Sequence, residues 1–215
     1  MKIQKFTFNP FLENTYLLWD ETTNETVVID PGCYSESEEN EIDDFIKKWN
    51  LIPKYLINTH CHIDHLLGVP FIKEKYNPLY LIPEEDLTLF NNAGSQAEMF
   101  DVDLQELPKP DDYITEQKEL RVGRTLPRFI FTPGHSPGGY CIYIPESKIL
   151  ISGDVLFDRS IGRTDLWGGN YDQLISSVKN KLLPLNDDVI VYPGHGENTT
   201  IGKERRFNPF LSNTG

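Results

Sequence analysis

The chain has 215 residues, a length that fits one domain with a large buried core and no need of a disulfide framework. Its 33 acidic residues against 20 basic ones give a net charge of −13, which opposes binding to nucleic-acid phosphates and fits a soluble protein. Three scattered cysteines make no secreted scaffold. The N-terminus has no signal-like apolar core and no run reaches the ~20 apolar residues that span a bilayer, so a cytoplasmic protein without membrane partners is expected.

From the start of the chain, KIQKFTF, NTYLLW and ETVVID read as three strands parted by turn-prone Asn-Pro and Glu-Thr-Thr-Asn. Residues 36–50 place Ile42, Phe45, Ile46 and Trp49 at helical spacing behind an acidic first turn. Residues 54–58 (KYLIN) predict a short buried strand that delivers the chain to His60. A helix after Gly68, a strand at LYLI and a helical stretch over 84–100 follow. Residues 101–112, acidic and punctuated by proline, read as a surface loop. PRFIFT, GYCIYI and KILIS then read as strands, followed by a helix over 171–182 and a last strand, DVIVY. This alternation predicts α/β layers in a single domain, 1–215. FNPFLENT at 8–15 recurs as FNPFLSNT at 207–214, too short for a structural repeat unit, so chance or shared turn chemistry is expected.

The five histidines carry the chemistry. Three crowd into His60-Cys61-His62-Ile63-Asp64-His65 behind a strand, where alternation lets His60 and His62 project the same way. Protonated together they would repel unless a cation held them neutral. Imidazole and carboxylate are ligands that zinc, iron and manganese share. His135 in TPGHSPGG, His195 in YPGHGEN and Asp154 in ISGDVLF each follow a strand as well, where loops carry function on a rigid frame. Cys61 alternates away from its neighbours and reads as packing.

THCHIDH, PGHSPGG, SGD and YPGHG, in this order and preceded by VVIDPG, resemble the metal-binding motifs of the metallo-β-lactamase fold superfamily across essentially the whole chain. The resemblance implies a four-layer αββα sandwich with two metals at one edge between its sheets. It implies a first metal on His60, His62 and His135, a second on Asp64, His65 and His195, and Asp154 bridging both. Asp30 lies outside that set. It either accepts hydrogen bonds that orient the ligand loop or is a turn aspartate before Pro31-Gly32.

ENTYLL at 13–18, SIGRTDLWGG at 160–169 and GHGENTTIGKERRFNPFL at 194–211 further resemble the glyoxalase II-like branch, in particular its short single-domain members. That resemblance implies hydrolysis of small-molecule thioesters such as S-D-lactoylglutathione by a hydroxide bridging two divalent ions, most readily zinc, with iron or manganese as alternatives. Asp64 would orient the water or accept its proton. The helical C-terminal region that binds glutathione in long forms is missing, so the reaction type carries over better than the thiol carrier. Arg163 is either an anion contact or a structural partner of Asp165. Lys203, Arg205 and Arg206 are anion contacts or solvated surface. The rival implied by the same branch is a mononuclear iron persulfide dioxygenase using His60 or His62, His135 and Asp154.

Overall fold

A computed structural model describes residues 1–211. The first sheet has strand order β1 (Lys2–Phe8), β2 (Glu13–Trp19), β3 (Glu25–Ile29), β4 (Ile52–Ile57), β5 (Leu79–Pro83), β6 (Asp112–Ile114). Its first three strands are antiparallel and β3 to β6 are parallel. The second sheet takes β7 (Arg128–Phe131), β8 (Tyr140–Ile144), β9 (Ile149–Gly153), β12 (Ile190–Pro193) and β13 (Thr199–Thr200) in the order β13-β12-β9-β8-β7. A small hairpin, β10 (Leu156–Phe157) with β11 (Ser160–Ile161), stands apart.

Side-chain alternation assigns the faces. Leu17, Trp19, Val28, Leu56 and Tyr80 of the first sheet pack under Ile42 and Ile46 of α1 (Glu36–Lys48), Ile72 of α2 (Val69–Tyr76), Leu89 of α3 (Leu87–Asn91) and Ala97 of α4 (Ala93–Phe100). Their alternate neighbours Tyr16, Leu18, Val27, Ile29, Ile57 and Leu81 meet Phe129, Ile142, Ile144 and Ile151 of the second sheet. On its far face Cys141, Leu150 and Val191 pack against Leu174 of α5 (Tyr171–Ser177), Val178 and Leu182 of a π-helical turn (Val178–Leu182), and Ile201 of α6 (Ile201–Phe207). Three cores between four layers give the expected αββα sandwich.

Local chemistry explains the element ends. Ser35 caps α1 and the Glu38 side chain returns to its backbone, a reciprocal capping box. The 84–100 stretch is not one helix: after a 3₁₀ turn, α3 ends at Asn92, whose side chain binds the Thr88 carbonyl at 2.7 Å, and α4 restarts at Ala93. Trp49 caps α1 and is half exposed rather than part of the buried stripe.

The repeated FNPFL has a physical account. Asn9 Oδ1 accepts the Phe11 N–H and Asn208 Oδ1 accepts the Phe210 N–H, both at 3.0 Å. The carbonyls of Asn9 and Asn208 likewise accept from Leu12 and Leu211 at 3.1 and 3.2 Å. Each copy is the same asparagine-initiated turn, which is the shared turn chemistry expected. Residues 212–214 of the second copy lie outside the described residues.

Candidate metal centre

The topology explains why four distant segments meet. β9 is parallel to β12 and antiparallel to β8, and β8 is antiparallel to β7, so β7, β9 and β12 run in one direction. Their C-terminal ends deliver His135, Asp154 and His195 to one edge of the sandwich, and β4 delivers the His60–His65 loop there from the first sheet. Asn14 closes the join, donating from its side chain to the carbonyls of Pro193 (3.0 Å) and Gly196 (2.9 Å).

All seven expected side chains come together. His62 Nδ1 lies 2.8 Å from His135 Nε2, which lies 3.2 Å from His60 Nε2. Asp64 Oδ2 is 3.1 Å from His195 Nε2 and 3.5 Å from His65 Nε2. Asp154 stands between, with Oδ2 3.5 Å from His135 Nε2 and 3.4 Å from His195 Nε2, and Oδ1 3.5 Å from His65 Nε2. Three overlapping groups could each hold an ion: His60-His62-His135, His60-His65-Asp154 and Asp64-His65-His195.

The donor set fits a cation on internal evidence. His135 Nδ1 is 2.7 Å from the Arg163 carbonyl and His195 Nδ1 is 3.1 Å from the Phe11 carbonyl. A carbonyl only accepts, so each Nδ1 carries a proton and each Nε2 is the ring nitrogen turned to the centre. Thr59 Oγ1 donates to Asp30 Oδ2 and so accepts from His60 Nδ1, which fixes the same tautomer there. Lone pairs on His60 and His135 therefore face each other at 3.2 Å, and His62 Nε2, His65 Nε2 and Asp154 Oδ1 are buried without a hydrogen-bond partner. Buried acceptors facing one another are costly unless an electrophile sits between them.

Burial, then the neighbouring imidazoles, hold the pKa of His60 well below the usual histidine range, and that of His62 down to about 3. At the other set burial opposes the charged form but loses. The carboxylates of Asp64, Asp30 and Asp154 raise His65, and Asp154 and Asp64 raise His195 to about 10. Without metal, a proton occupies that set.

The loops are clamped by polar side chains around them. Asp30, held at a positive φ of 49°, accepts from the Thr59 N–H and hydroxyl at 2.6 Å each and lies 3.2 Å from His65 Nδ1. It thus ties the end of β3 to the loop that carries His60 and His65. Four clamps that sequence reasoning missed are Asn9, Asn58, Asp86 and Gln96. Asn9 donates to the Asp64 carbonyl (3.0 Å) and Asn58 to that of His65 (2.6 Å). Asp86 accepts from Cys61 N (3.0 Å) and Gly138 N (2.6 Å), joining the His62 and His135 loops. Gln96 accepts from Ile63 N at 3.2 Å and donates to the carbonyls of Cys61 (3.2 Å) and Leu89 (2.9 Å). Gly194 leaves room for the centre: a Cβ there would meet Asp154 Oδ1 at 2.1 Å. Cys61 is fully buried, and burial pushes its thiol pKa well up, as suits a packing residue.

A cavity of about 360 Å³ opens over the centre between Phe11, Ile63, Phe100, Phe157, Leu166 and Arg163. The Arg163 guanidinium is engaged by Asp165 at 2.7 and 2.8 Å, and the residue also borders the cavity. The tail cations are paired too: Lys203 with Asp158 at 2.7 Å, and Arg205 and Arg206 with Asp187.

The Metallo-beta-lactamase superfamily model matches residues 8–195. The chain belongs to the metallo-β-lactamase superfamily. It is 37% identical over 214 residues to the hydroxyacylglutathione hydrolase GloC of Haemophilus influenzae, covering 99% of each chain. Among solved structures it is similar to the BLEG-1 B3 metallo-beta-lactamase (33% identity, TM-score 0.87, all of both chains). It is also similar to TTHA1623 in a di-iron-bound form (36% identity, TM-score 0.86, 97% of this chain and all of that one). The superfamily fold binds divalent metals, and the His and Asp groups above lie where this chain could hold them. No helix among the described residues is long and apolar enough to cross a membrane.

Proposed function

We propose that the protein is a single-domain, cytoplasmic, binuclear metallohydrolase of thioesters such as S-D-lactoylglutathione. His60, His62 and His135 would hold one divalent ion, Asp64, His65 and His195 the other, and Asp154 both. The observation that carries this reading is the convergence of five imidazoles and two carboxylates in three overlapping groups, with Asp154 standing between the two sets. Zinc suits these ligands, and iron is the alternative that the di-iron relative favours. Bound there, the ions would lower the pKa of a coordinated water and polarise a carbonyl.

The chain's own residues do the rest. Asp64, 13% exposed at its side chain and bordering the cavity, would orient a water or take its proton. Phe11, Phe100, Phe157 and Leu166 wall the site with apolar surface that keeps bulk water from the reacting carbonyl. The full-length similarity to GloC supports the thioester class.

The test is to compare S-D-lactoylglutathione with the lactoyl thioester of N-acetylcysteinylglycine, which lacks the γ-glutamyl group. Arg163 is the one Lys or Arg bordering the cavity among the described residues, and Asp165 already engages it, so glutathione's remote carboxylate finds no free cation there. Both esters are expected to turn over, with KM rising less than tenfold on truncation, a loss under ~1.4 kcal/mol. A hundredfold rise would contradict this account of the site. Oxygen uptake with glutathione persulfide, and no thioester hydrolysis, would replace it with the dioxygenase.

A further inference from the structure

A second cavity, about 290 Å³, lies beside the metal cavity and is lined by Thr88, Leu89, Asn92, Ser95, Gln96 and Trp167. Gln96 lines both spaces, and Leu166 and Trp167, adjacent in the chain, line one each. Gln96 is thus the residue common to the two linings. It is 1% exposed and held by hydrogen bonds to Ile63, Cys61 and Leu89, so the lining the two cavities share is fixed.

The second cavity carries no titratable group. Its apolar lining is Leu89 and Trp167, the latter 42% exposed. The indole is open to solvent beside the cavity, and the turn that presents it is tightly held. Asn170 N donates to the Gly134 carbonyl at 2.7 Å and Gly169 N to the Leu166 carbonyl at 3.0 Å. Gly168, at φ 77°, is pressed so close to Pro137 that a Cβ would meet its ring at 2.5 Å. The same turn supplies the Arg163 carbonyl that binds His135. The backbone that carries Trp167 is thus fixed beside the cavity and tied to the His135 loop, so a ligand need not order it.

We propose that this cavity is a substrate subsite that takes an uncharged apolar or aromatic group attached to the reacting ester, stacked on Trp167. This rests on the hydrolase reading above, and it narrows the substrates from thioesters at large to those with a neutral, ring-bearing or alkyl arm. The arm could belong to the acyl side or to the thiol side, and both bring the same chemistry to the indole.

The test uses metal-replete full-length protein and three neutral thioesters: acetyl and phenylacetyl N-acetylcysteamine, and S-benzyl thioacetate. For wild type the better aromatic ester should have a KM at least tenfold below the acetyl ester, and which ester it is identifies the side. Trp167→Ala should abolish that preference and Trp167→Phe should restore most of it. A preference unchanged in Trp167→Ala overturns the subsite. Should no thioester turn over, the subsite is still read by calorimetry with the uncleavable thioether S-benzyl-N-acetylcysteamine. Binding weakened tenfold by Trp167→Ala supports it, and no binding to wild type, or equal binding to both, refutes it.

Discussion

Asp86 accepts from the backbone of two different loops, so one substitution there should loosen His62 and His135 together. Removing such an outer partner costs metal affinity about 10- to 100-fold. Asp86→Ala is expected to lose metal to a chelator at correspondingly lower concentration, and Asp86→Asn, which still accepts, less so; unchanged retention in a folded Asp86→Ala protein would contradict the clamp. His195 gives a second prediction. With its pKa raised to about 10 by Asp154 and Asp64 in the metal-free chain, an ion must displace its proton. Binding should release protons and weaken as pH falls from 8 to 6, seen as calorimetric heats that depend on buffer ionisation; heats independent of buffer would show that no proton is displaced. The seven clustered residues are legible because each lies in a dense motif of His, Asp and Gly behind a strand. The clamps are not. A lone Asn9, Asn58 or Gln96 has the composition of any polar loop until the fold turns it inward.

At the scale of elements, Asp43 pins α1 to α2. It is 3% exposed and takes Lys47 Nζ of its own helix at 2.7 Å, Lys75 Nζ of α2 at 2.8 Å and the Tyr76 hydroxyl. Burial alone would raise its pKa, but these partners lower it to about 2. A carboxylate depressed on folding adds stability above its unfolded pKa of about 3.9, and that stability is lost as pH falls to the folded value. Urea midpoints of wild type should therefore drop between about pH 4 and 2 more steeply than those of Asp43→Asn; parallel curves would remove Asp43 from the account. The capping box is open to a similar check: Ser35→Ala should cost about 1 kcal/mol, with no change in the denaturant slope. That box, the first five strands and β7, β8, β9 and β12 followed patterns the sequence displays. The break at Asn92 and the short β6, β10, β11 and β13 did not, because two or three residues carry no periodicity.

Across the whole molecule, parallel strands that end on one edge convert four separated motifs into one centre, and the layers behind them are sealed by three apolar cores. The layer order was implied by resemblance rather than by periodicity, since helix and strand spacing alone do not say which sheet a strand joins. The apolar subsite beside the centre was invisible in sequence for the same reason: Leu89, Gln96 and Trp167 belong to segments that only the fold makes neighbours. Since the buried lone pairs call for cations, chelation should lower the melting temperature of the chain as well as its activity. The central claim is two ions sharing Asp154, and metal analysis of protein saturated with zinc, manganese or iron tests it most directly. The account predicts about two tightly bound ions per wild-type chain, loss mainly of the second in His65→Ala, and weakening of both in Asp154→Ala. At most one tightly bound ion in wild type, with every metal supplied in excess, would contradict it.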